Sequence, residues 1–230
     1  MSTRNILTGV VVAKSRKNNG ICLVIWDLEK RKSYRIISEE IRKDHELFEE
    51  ECVTEKGEPL DIFDKIEVCV INMIPQNDEY QKENYILDKK QKNPIHFISN
   101  MTFKEFLDLY EKDSLTERET IFSNSSQTLD PQEAKICENS FILAHVSNLR
   151  IYEVGSRFYN KTKVRCSFDY KEIHYTDFYV TICKTADDDL DKYGGKLYKN
   201  AVVGFSFGHP FKNKCYKFLC SFLGELDKNQ

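Results

Sequence analysis

The sequence has 230 residues, which is enough for one large domain or two small ones. The hydrophobic content of 40% supports a folded core, and the 31% of charged residues with a mean hydropathy of -0.54 are typical of a soluble protein. The longest apolar run, around residues 68–74, is far shorter than the ~20 residues of a membrane helix, which excludes a helical membrane protein. The N-terminus lacks the pattern of a signal peptide, so we expect no targeting segment.

The first half of the sequence predicts five strands and one helix. Apolar runs at residues 6–13, 21–28, 34–37, 66–74 and 84–88 predict the strands, and residues 14–20 between the first two predict a basic loop. Ser38 begins a segment with helical spacing that is acidic in its first turn and ends before Gly57. The order β-β-β-α-β-β is that of a five-stranded Greek-key barrel of the oligonucleotide-binding (OB) type.

Residues 91–139 predict a helical connector. Thr102 and Glu105 have the spacing of a capping box, and the aromatic and apolar residues that follow form one helical stripe. Asp130 followed by Pro131 predicts the start of a second short helix.

The last ninety residues repeat the order of the first half. Strands are predicted at residues 141–152, 163–170, 173–183, 197–208 and 214–223, with a turn-rich acidic segment at 185–195 where an OB fold carries a helix or a reduced loop. Within residues 164–170, Val164, Cys166, Phe168 and Tyr170 alternate with polar residues, which predicts that these four face the core. We therefore predict a mainly β protein with minor α content: OB-like barrels at 1–90 and 140–230, joined by the connector at 91–139. A pair of SH3-like barrels or a single two-sheet sandwich is the alternative.

Charge is unevenly distributed along a chain whose net charge is -3. Residues 1–35 hold eight cations and two acids (+6), residues 38–58 hold nine acids and three cations (-6), and residues 196–217 hold five lysines and no acid. Local patches of this kind steer charged ligands even when the total is near zero.

An OB barrel binds single-stranded nucleic acid on the face of its second and third strands and on the loops next to it, with cations for phosphates and flat side chains for bases. In the first barrel these places hold Lys14, Arg16, Lys17, Trp26, Tyr34 and Arg35. In the second they hold Arg150, Arg157, Arg165, His174, Tyr175, His209, Lys212, Lys214 and Tyr216. Two of these candidates have a structural alternative: Trp26 fits a core position, and Arg35 fits an ion pair with the acidic helix.

The cysteine pattern argues against a secreted protein, and the absence of known catalytic motifs argues against an enzyme. The eight cysteines form no C-x-x-C pair and mostly lie in apolar runs, which indicates reduced thiols in the core of a cytoplasmic protein without a zinc site. No phosphate-binding glycine loop or hydrolase motif is present, so we expect neither an enzyme nor a cofactor. The acidic run 187–191 could hold a divalent cation but is more typical of a hydrated turn.

Several short motifs resemble the prokaryotic dual OB-containing domain family. In the first barrel they are residues 13–17, Gly20-x-Cys22, Tyr34-Arg35 and residues 84–88; in the second they are residues 148–150, 163–165, Phe168-x-Tyr170, 206–211 and 215–217. His209 departs from the family pattern, where an acidic residue is expected, which puts a carboxylate role at that loop in doubt. The resemblance implies association with bacterial conflict and defence systems, as a nucleic-acid sensor or an effector adaptor, and no known catalytic activity.

These observations leave two main hypotheses and one lesser one. The first is a non-catalytic module that binds single-stranded DNA or RNA across one or both barrels. The second is an adaptor whose acidic helix at 39–51 and exposed strand edges dock a defence effector or a second copy. An enzymatic function is the third and has the least support.

Overall fold

The computed structural model describes residues 5–17, 20–39, 45–71, 79–110, 119–155 and 163–226. The chain divides into two compact units, Met1–Ser114 and Leu115–Gln230. None of the helices in the described ranges has the length and apolar character that a membrane span requires.

The first unit is a five-stranded barrel with one further strand and one helix in its described part. Its elements are β1 (Asn5–Lys17), β2 (Gly20–Asp27), β3 (Lys32–Ile37), β4 (Asp64–Ile71), β5 (Asn84–Leu87), β6 (Ile95–Asn100) and α1 (Phe103–Tyr110). The pairing order is β1-β2-β3-β5-β4, and the β1–β4 pairing closes the ring. The β3–β5 pair is parallel and the others are antiparallel, while β6 pairs with β4 outside the ring.

The second unit repeats this topology. Its elements are β7 (Thr128–Leu129), α2 (Pro131–Ile136), β8 (Phe141–Val154), β9 (Lys163–Tyr170), β10 (Ile173–Val180), α3 (Ala186–Tyr193), β11 (Leu197–Phe207) and β12 (Cys215–Glu225). The ring runs β8-β9-β10-β12-β11 and returns to β8, with a parallel β10–β12 pair in the place of β3–β5. The predicted fold class, two tandem OB-like barrels in a mainly β protein, is therefore confirmed.

Each barrel is filled by one face of its strands, as period-two alternation requires. In the first unit Val11, Leu23 and Ile25 lie in an aliphatic core. In the second the core is aromatic: the rings of Phe168 and Tyr175 stack with centroids 5.0 Å apart, and Phe178 and Phe205 pack around them. The inward face predicted for residues 164–170 is confirmed, because every second side chain from Val164 is buried.

The two helix-start signals in the segment predicted as a connector hold in the structure. The side chains of Thr102 and Glu105 form the predicted capping box at α1, and Asp130 accepts a hydrogen bond from the Gln132 N–H at α2. The aromatic stripe of α1 packs on the first barrel, where the ring of Tyr110 meets Trp26 edge-to-face at 5.1 Å.

The predicted acidic helix after Ser38 is wrong in its described part. Residues 45–48 are not helical: His45 has a φ of 56° and Phe48 is extended. Leu47 exchanges two backbone hydrogen bonds with Ile21 of β2, at 2.7 and 3.0 Å. A single 3-10 turn, Glu49–Glu51, follows. The remaining helix residues of the prediction, 40–44, lie outside the described ranges. Pairing with a strand twenty-six residues away thus overrides the local helical spacing of the apolar residues.

Two further segments differ from the prediction in placement. The basic stretch from Lys14 to Lys17, expected in a loop, belongs to β1 and pairs with the start of β2. Within the segment predicted as a connector, residues 95–110 belong to the first unit, whereas residues 119–136 belong to the second.

A buried lysine fixes residues 121–124 to the second barrel. Lys217 of β12 is fully buried, and its Nζ donates hydrogen bonds to the backbone oxygens of Ile121 (2.8 Å) and Asn124 (2.7 Å) and to the Asn124 Oδ1 (2.9 Å). The Ile121 N–H donates to the Oη of Tyr175 at 3.1 Å. Three acceptors match the three N–H groups of an ammonium, so one side chain satisfies this whole turn of the chain.

We expect the Lys217→Met variant to lower the free energy of unfolding by about 1–3 kcal/mol, because a buried acceptor without its donor carries a desolvation cost of that size. Urea unfolding at neutral pH measures the change. Lys199→Met, at an exposed position of β11, is the control, for which we expect a change within about 0.5 kcal/mol. Equal stability of both variants would contradict a structural role for Lys217.

The stability contributed by Lys217 should also depend on pH. Burial lowers the pKa of its ammonium from 10.5 to about 7. Between these two values the unfolded chain binds a proton that the folded chain has released, so the free energy of unfolding rises with pH. The stability difference between wild type and Lys217→Met should therefore grow from pH 7 to pH 9, by at most about 1.4 kcal/mol per pH unit. A flat difference would mean that the three oxygens keep the folded-state ammonium charged.

Candidate nucleic-acid interface

The outer face of β2 and β3, where an OB barrel binds its ligand, is buried in the first unit. This face is opposite to the core residues Leu23 and Ile25 and consists of Cys22, Val24, Trp26, Ser33, Arg35 and Ile37. All of these except the half-buried Trp26 are buried. Trp26 is itself packed against Tyr110 of α1. The first barrel therefore offers no open base-stacking surface on this face.

Two of the predicted binding residues of the first barrel are internal. Tyr34 is 3% exposed and belongs to the core, where its ring meets Tyr85 edge-to-face at 5.0 Å. Arg35 is 2% exposed; its Nη1 donates to the Cys22 Sγ at 3.2 Å and its Nη2 lies 3.9 Å from the Glu83 Oε1. In the described part of the chain Arg35 is ion-paired with Glu83. Burial corrects the surface position that the sequence suggested for both residues.

The three cations of β1 are half-buried next to an acidic segment. The Lys14 Nζ donates to the backbone oxygen of Leu60 at 2.8 Å, and Arg16 and Lys17 flank the turn into β2. Residues 46–47 lie against the first residue of β2, where a Cβ on Gly20 would clash with the Leu47 oxygen and the Glu46 side chain. The acidic segment therefore occupies the neighbourhood of the predicted basic loop.

The corresponding face of the second barrel is open. Its outward side chains on β9 and β10 are all half-buried or exposed: Lys163, Arg165, Ser167, Asp169, His174, Thr176, Asp177 and Tyr179. The two units thus share a topology but differ in whether the outer face of their second and third strands reaches solvent.

A row of flat side chains crosses this open face and continues onto the hairpin between β11 and β12. We define the aromatic row as Arg165, Tyr179, Tyr216, Phe211 and Phe218. The Arg165 guanidinium carbon lies 3.2 Å from the centroid of the Tyr179 ring. The Tyr179 centroid is 5.9 Å from those of both Tyr216 and Phe218, and Tyr216 is 6.4 Å from Phe211. Phe211, at the hairpin, is 62% exposed.

Two features of the backbone bring the aromatic row together. The parallel β10–β12 pairing sets Tyr179 opposite Phe218 in register. The hairpin is closed by two backbone hydrogen bonds between Phe211 and Lys214, and its two central residues, Lys212 and Asn213, have φ of 50° and 59°. Positive φ at both central residues is the type I′ geometry that suits the twist of paired strands. This turn holds Phe211 beside Tyr216.

Cations and one hydrogen-bonded carboxylate lie next to the aromatic row. The Lys212 Nζ lies 5.6 Å from the Phe211 centroid, and Lys214 is exposed next to it. Asp177 accepts a hydrogen bond from the Tyr152 hydroxyl at 3.0 Å, and burial together with this bond raises the pKa of Tyr152. The Arg165 Nη1 donates to the Asp177 backbone oxygen at 3.3 Å, which holds the guanidinium over Tyr179.

The predicted residues of the second barrel are only partly brought together, and Arg157 lies outside the described residues. Arg165 and Tyr216 belong to the aromatic row, and Lys214 and the half-buried His209 lie in the adjoining hairpin. Arg150 is exposed on β8, opposite Ser167, and His174 is exposed on β10, where its Nδ1 lies 2.5 Å from an Asp169 carboxylate oxygen. Tyr175 is a core residue whose hydroxyl accepts from Ile121, which corrects its predicted place on the surface.

Three members of the aromatic row were missed from the sequence: Tyr179, Phe211 and Phe218. Tyr179 could have been found, since it alternates with the inward Phe178 and Val180 on β10. Phe218 could not be found in this way, because its place in the row depends on the pairing of β10 with β12. The place of Phe211 depends on the turn at Lys212 and Asn213, which sets it beside Tyr216.

The described residues present no metal centre. No group of three or more His, Cys, Asp or Glu among them could hold a metal ion. In the run 187–191, Asp188 pairs with Thr185 in a capping box at α3, and Asp189 accepts from the Cys183 N–H at 2.7 Å. None of the eight cysteines is in a disulfide, and burial raises the pKa of Cys52 to about 12.

Comparison with known proteins gives one family match, and this match covers both barrels. Searches of curated proteins and of solved structures found no match. A family described as the dual OB-containing domain matches residues 8–221, a span that runs from β1 to β12. OB folds are a common nucleic-acid-binding architecture. With two closed barrels of OB topology and a match over most of its length, the chain belongs to the dual OB-containing domain family.

Proposed function

We propose that the protein binds single-stranded nucleic acid, DNA or RNA, on the outer face of its second barrel. The observation that carries this proposal is the aromatic row, in which a guanidinium and four rings lie together on the face that OB barrels use. Stacking of one base on an aromatic side chain contributes about 1–3 kcal/mol, and it needs no particular base.

The charges around the aromatic row support the same ligand. Arg165 can stack on a base and pair with a phosphate, because its guanidinium is planar and keeps its charge. Lys212 and Lys214 at the hairpin supply further cations within reach of a strand that runs along the row. Phosphate contacts of this kind release counterions and make binding weaken steeply with salt.

In this proposal the first barrel does not stack bases. Its outer face at β2 and β3 is buried, and Arg35 is held in an ion pair with Glu83. The sequence left open that both barrels bind, and the contrast in exposure favours the second one. The first barrel then serves the stability of the protein or a contact outside the ligand site.

The wider setting of the protein remains a proposal from its family resemblance. We propose a non-catalytic, cytoplasmic role in a bacterial defence or conflict system, with nucleic acid as the sensed ligand. The adaptor alternative, in which a defence effector docks on exposed strand edges through apolar anchors, predicts weak salt dependence.

We expect Arg165→Ala and Tyr216→Ala together to weaken binding of a labelled 20-nucleotide single strand by at least tenfold, since two stacking contacts are lost. Fluorescence anisotropy across a salt series measures both the affinity and the salt slope. Arg165→Ala alone should also reduce that slope by about one.

The matched control removes charge from the first barrel. A Lys14→Ala, Arg16→Ala and Lys17→Ala variant should bind with nearly wild-type affinity, apart from a small electrostatic loss. Loss of binding in this variant, with retention in the Arg165 and Tyr216 variant, would move the site to the first barrel. Absence of binding by the wild-type protein at low salt would refute the proposed function.

A further inference from the structure

We propose that Asp177 gives the second barrel a preference for guanine at one position of the bound strand. This inference rests on the proposed function and adds a base-selective residue to that site. It follows from the placement of the Asp177 carboxylate, from the hydrogen bond that Tyr152 makes to it, and from the position of Arg165 beside it.

A β-bulge places Asp177 on the open face of the second barrel. The register of β9 and β10 shifts between Tyr175 and Phe178, so that Thr176 and Asp177 together lie opposite Ser167. Bulges of this kind redirect a side chain. Asp177 is exposed and has a φ of 58°, a conformation that aspartate and asparagine tolerate better than most residues. The backbone thus fixes an acidic side chain on the surface proposed to bind the strand.

The hydroxyl of Tyr152 orients this carboxylate. Tyr152 is the cross-strand partner of Arg165, and Arg165 is in turn the partner of Tyr179. The Tyr152 hydroxyl donates to the Asp177 Oδ1 at 3.0 Å. An ionised carboxylate has about four acceptor sites, so this bond fixes the group and still leaves acceptor capacity on both oxygens for a ligand.

The guanidinium of Arg165 lies beside the carboxylate and can hold a base next to it. The Arg165 Nη1 donates to the backbone oxygen of Asp177 at 3.3 Å, and the guanidinium carbon is 3.2 Å from the centroid of the Tyr179 ring. One face of the guanidinium therefore rests on Tyr179. Nucleobases stack on arginine planes, and we expect a base on the opposite face to present its edge to Asp177.

Guanine is the base whose edge suits a carboxylate. Proteins read the Watson–Crick edges of unpaired bases directly, and guanine carries its N1–H and N2–H donors side by side on that edge. Adenine and cytosine place one amino donor next to a ring-nitrogen acceptor, and thymine places its N–H between two carbonyl acceptors. With each of these three bases an acceptor faces the carboxylate, which is unfavourable. Asp177 can therefore accept two hydrogen bonds from guanine alone.

The negative charge of Asp177 makes the same distinction. A carboxylate on a surface that binds phosphates repels the strand, since like charges raise each other's energy. Paired with two guanine donors, the carboxylate offsets that repulsion with charge-assisted hydrogen bonds. Opposite the other bases the repulsion stands without compensation.

The test compares labelled 12-nucleotide thymine strands with a central guanine, adenine, cytosine, inosine or no replacement, by fluorescence anisotropy at one salt concentration. We expect the guanine strand to bind the wild-type protein about tenfold more tightly than the adenine, cytosine and all-thymine strands. Inosine lacks the 2-amino donor and should fall between. Equal affinities, or a preference for another base, would overturn the inference and leave the proposed function in place. Failure of every strand to bind would instead refute the proposed function.

An Asp177→Asn variant supplies the second arm, and asparagine keeps the backbone because it also tolerates a positive φ. We expect this variant to lose the guanine preference while it binds the all-thymine strand at least as tightly as the wild type does. Asp169→Asn is the matched control, because it removes the same charge from the outward face of the neighbouring strand β9 and should keep the preference. A guanine preference retained by Asp177→Asn, or lost equally in both variants, would overturn the assignment of Asp177.

Discussion

The parallel pairing of the third and fifth strands is the constraint on which both barrels depend. It closes each ring, and it sets side chains from distant parts of the sequence next to each other. In the second unit it puts Tyr179 opposite Phe218, and the aromatic row forms around this contact. In the first unit the same pairing puts Arg35 opposite Asn84 and next to Glu83, and a buried ion pair results. One topology thus yields a ligand surface in one copy and an internal contact in the other.

The two outer faces differ in what their side chains require. On the first barrel Val24 and Ile37 are apolar and gain free energy from burial, while Arg35 needs an acidic partner once it is removed from water. On the second barrel the outward positions of β9 and β10 are charged, hydroxylic or aromatic with a polar tip, and remain favourable in solvent. Burial of the first face favours a stable protein, and exposure of the second leaves a surface on which a ligand can stack.

Local patterns were sufficient for the fold but not for the site. The alternation from Val164 to Tyr170, the capping box at Thr102 and the helix start at Asp130 were correct, because they depend on neighbours in sequence. The helix after Ser38 was wrong because the backbone of Leu47 pairs with Ile21. Alternation also shows that a strand has an inward and an outward face. It does not show whether another element of the fold covers the outward face. The sequence therefore could not show that Arg35 is buried whereas Arg165 reaches solvent.

Lys217 gives this protein an internal reporter of its own opening. An amine-reactive acylating reagent reaches exposed lysines in the native state, whereas the Lys217 amine is shielded and engaged with three oxygens. Its acylation must wait until the segment holding Ile121 and Asn124 separates from β12. The rate of that single modification, followed by peptide mass spectrometry, would measure how often the segment holding Ile121 and Asn124 opens locally from the second barrel. The measurement needs no engineered probe.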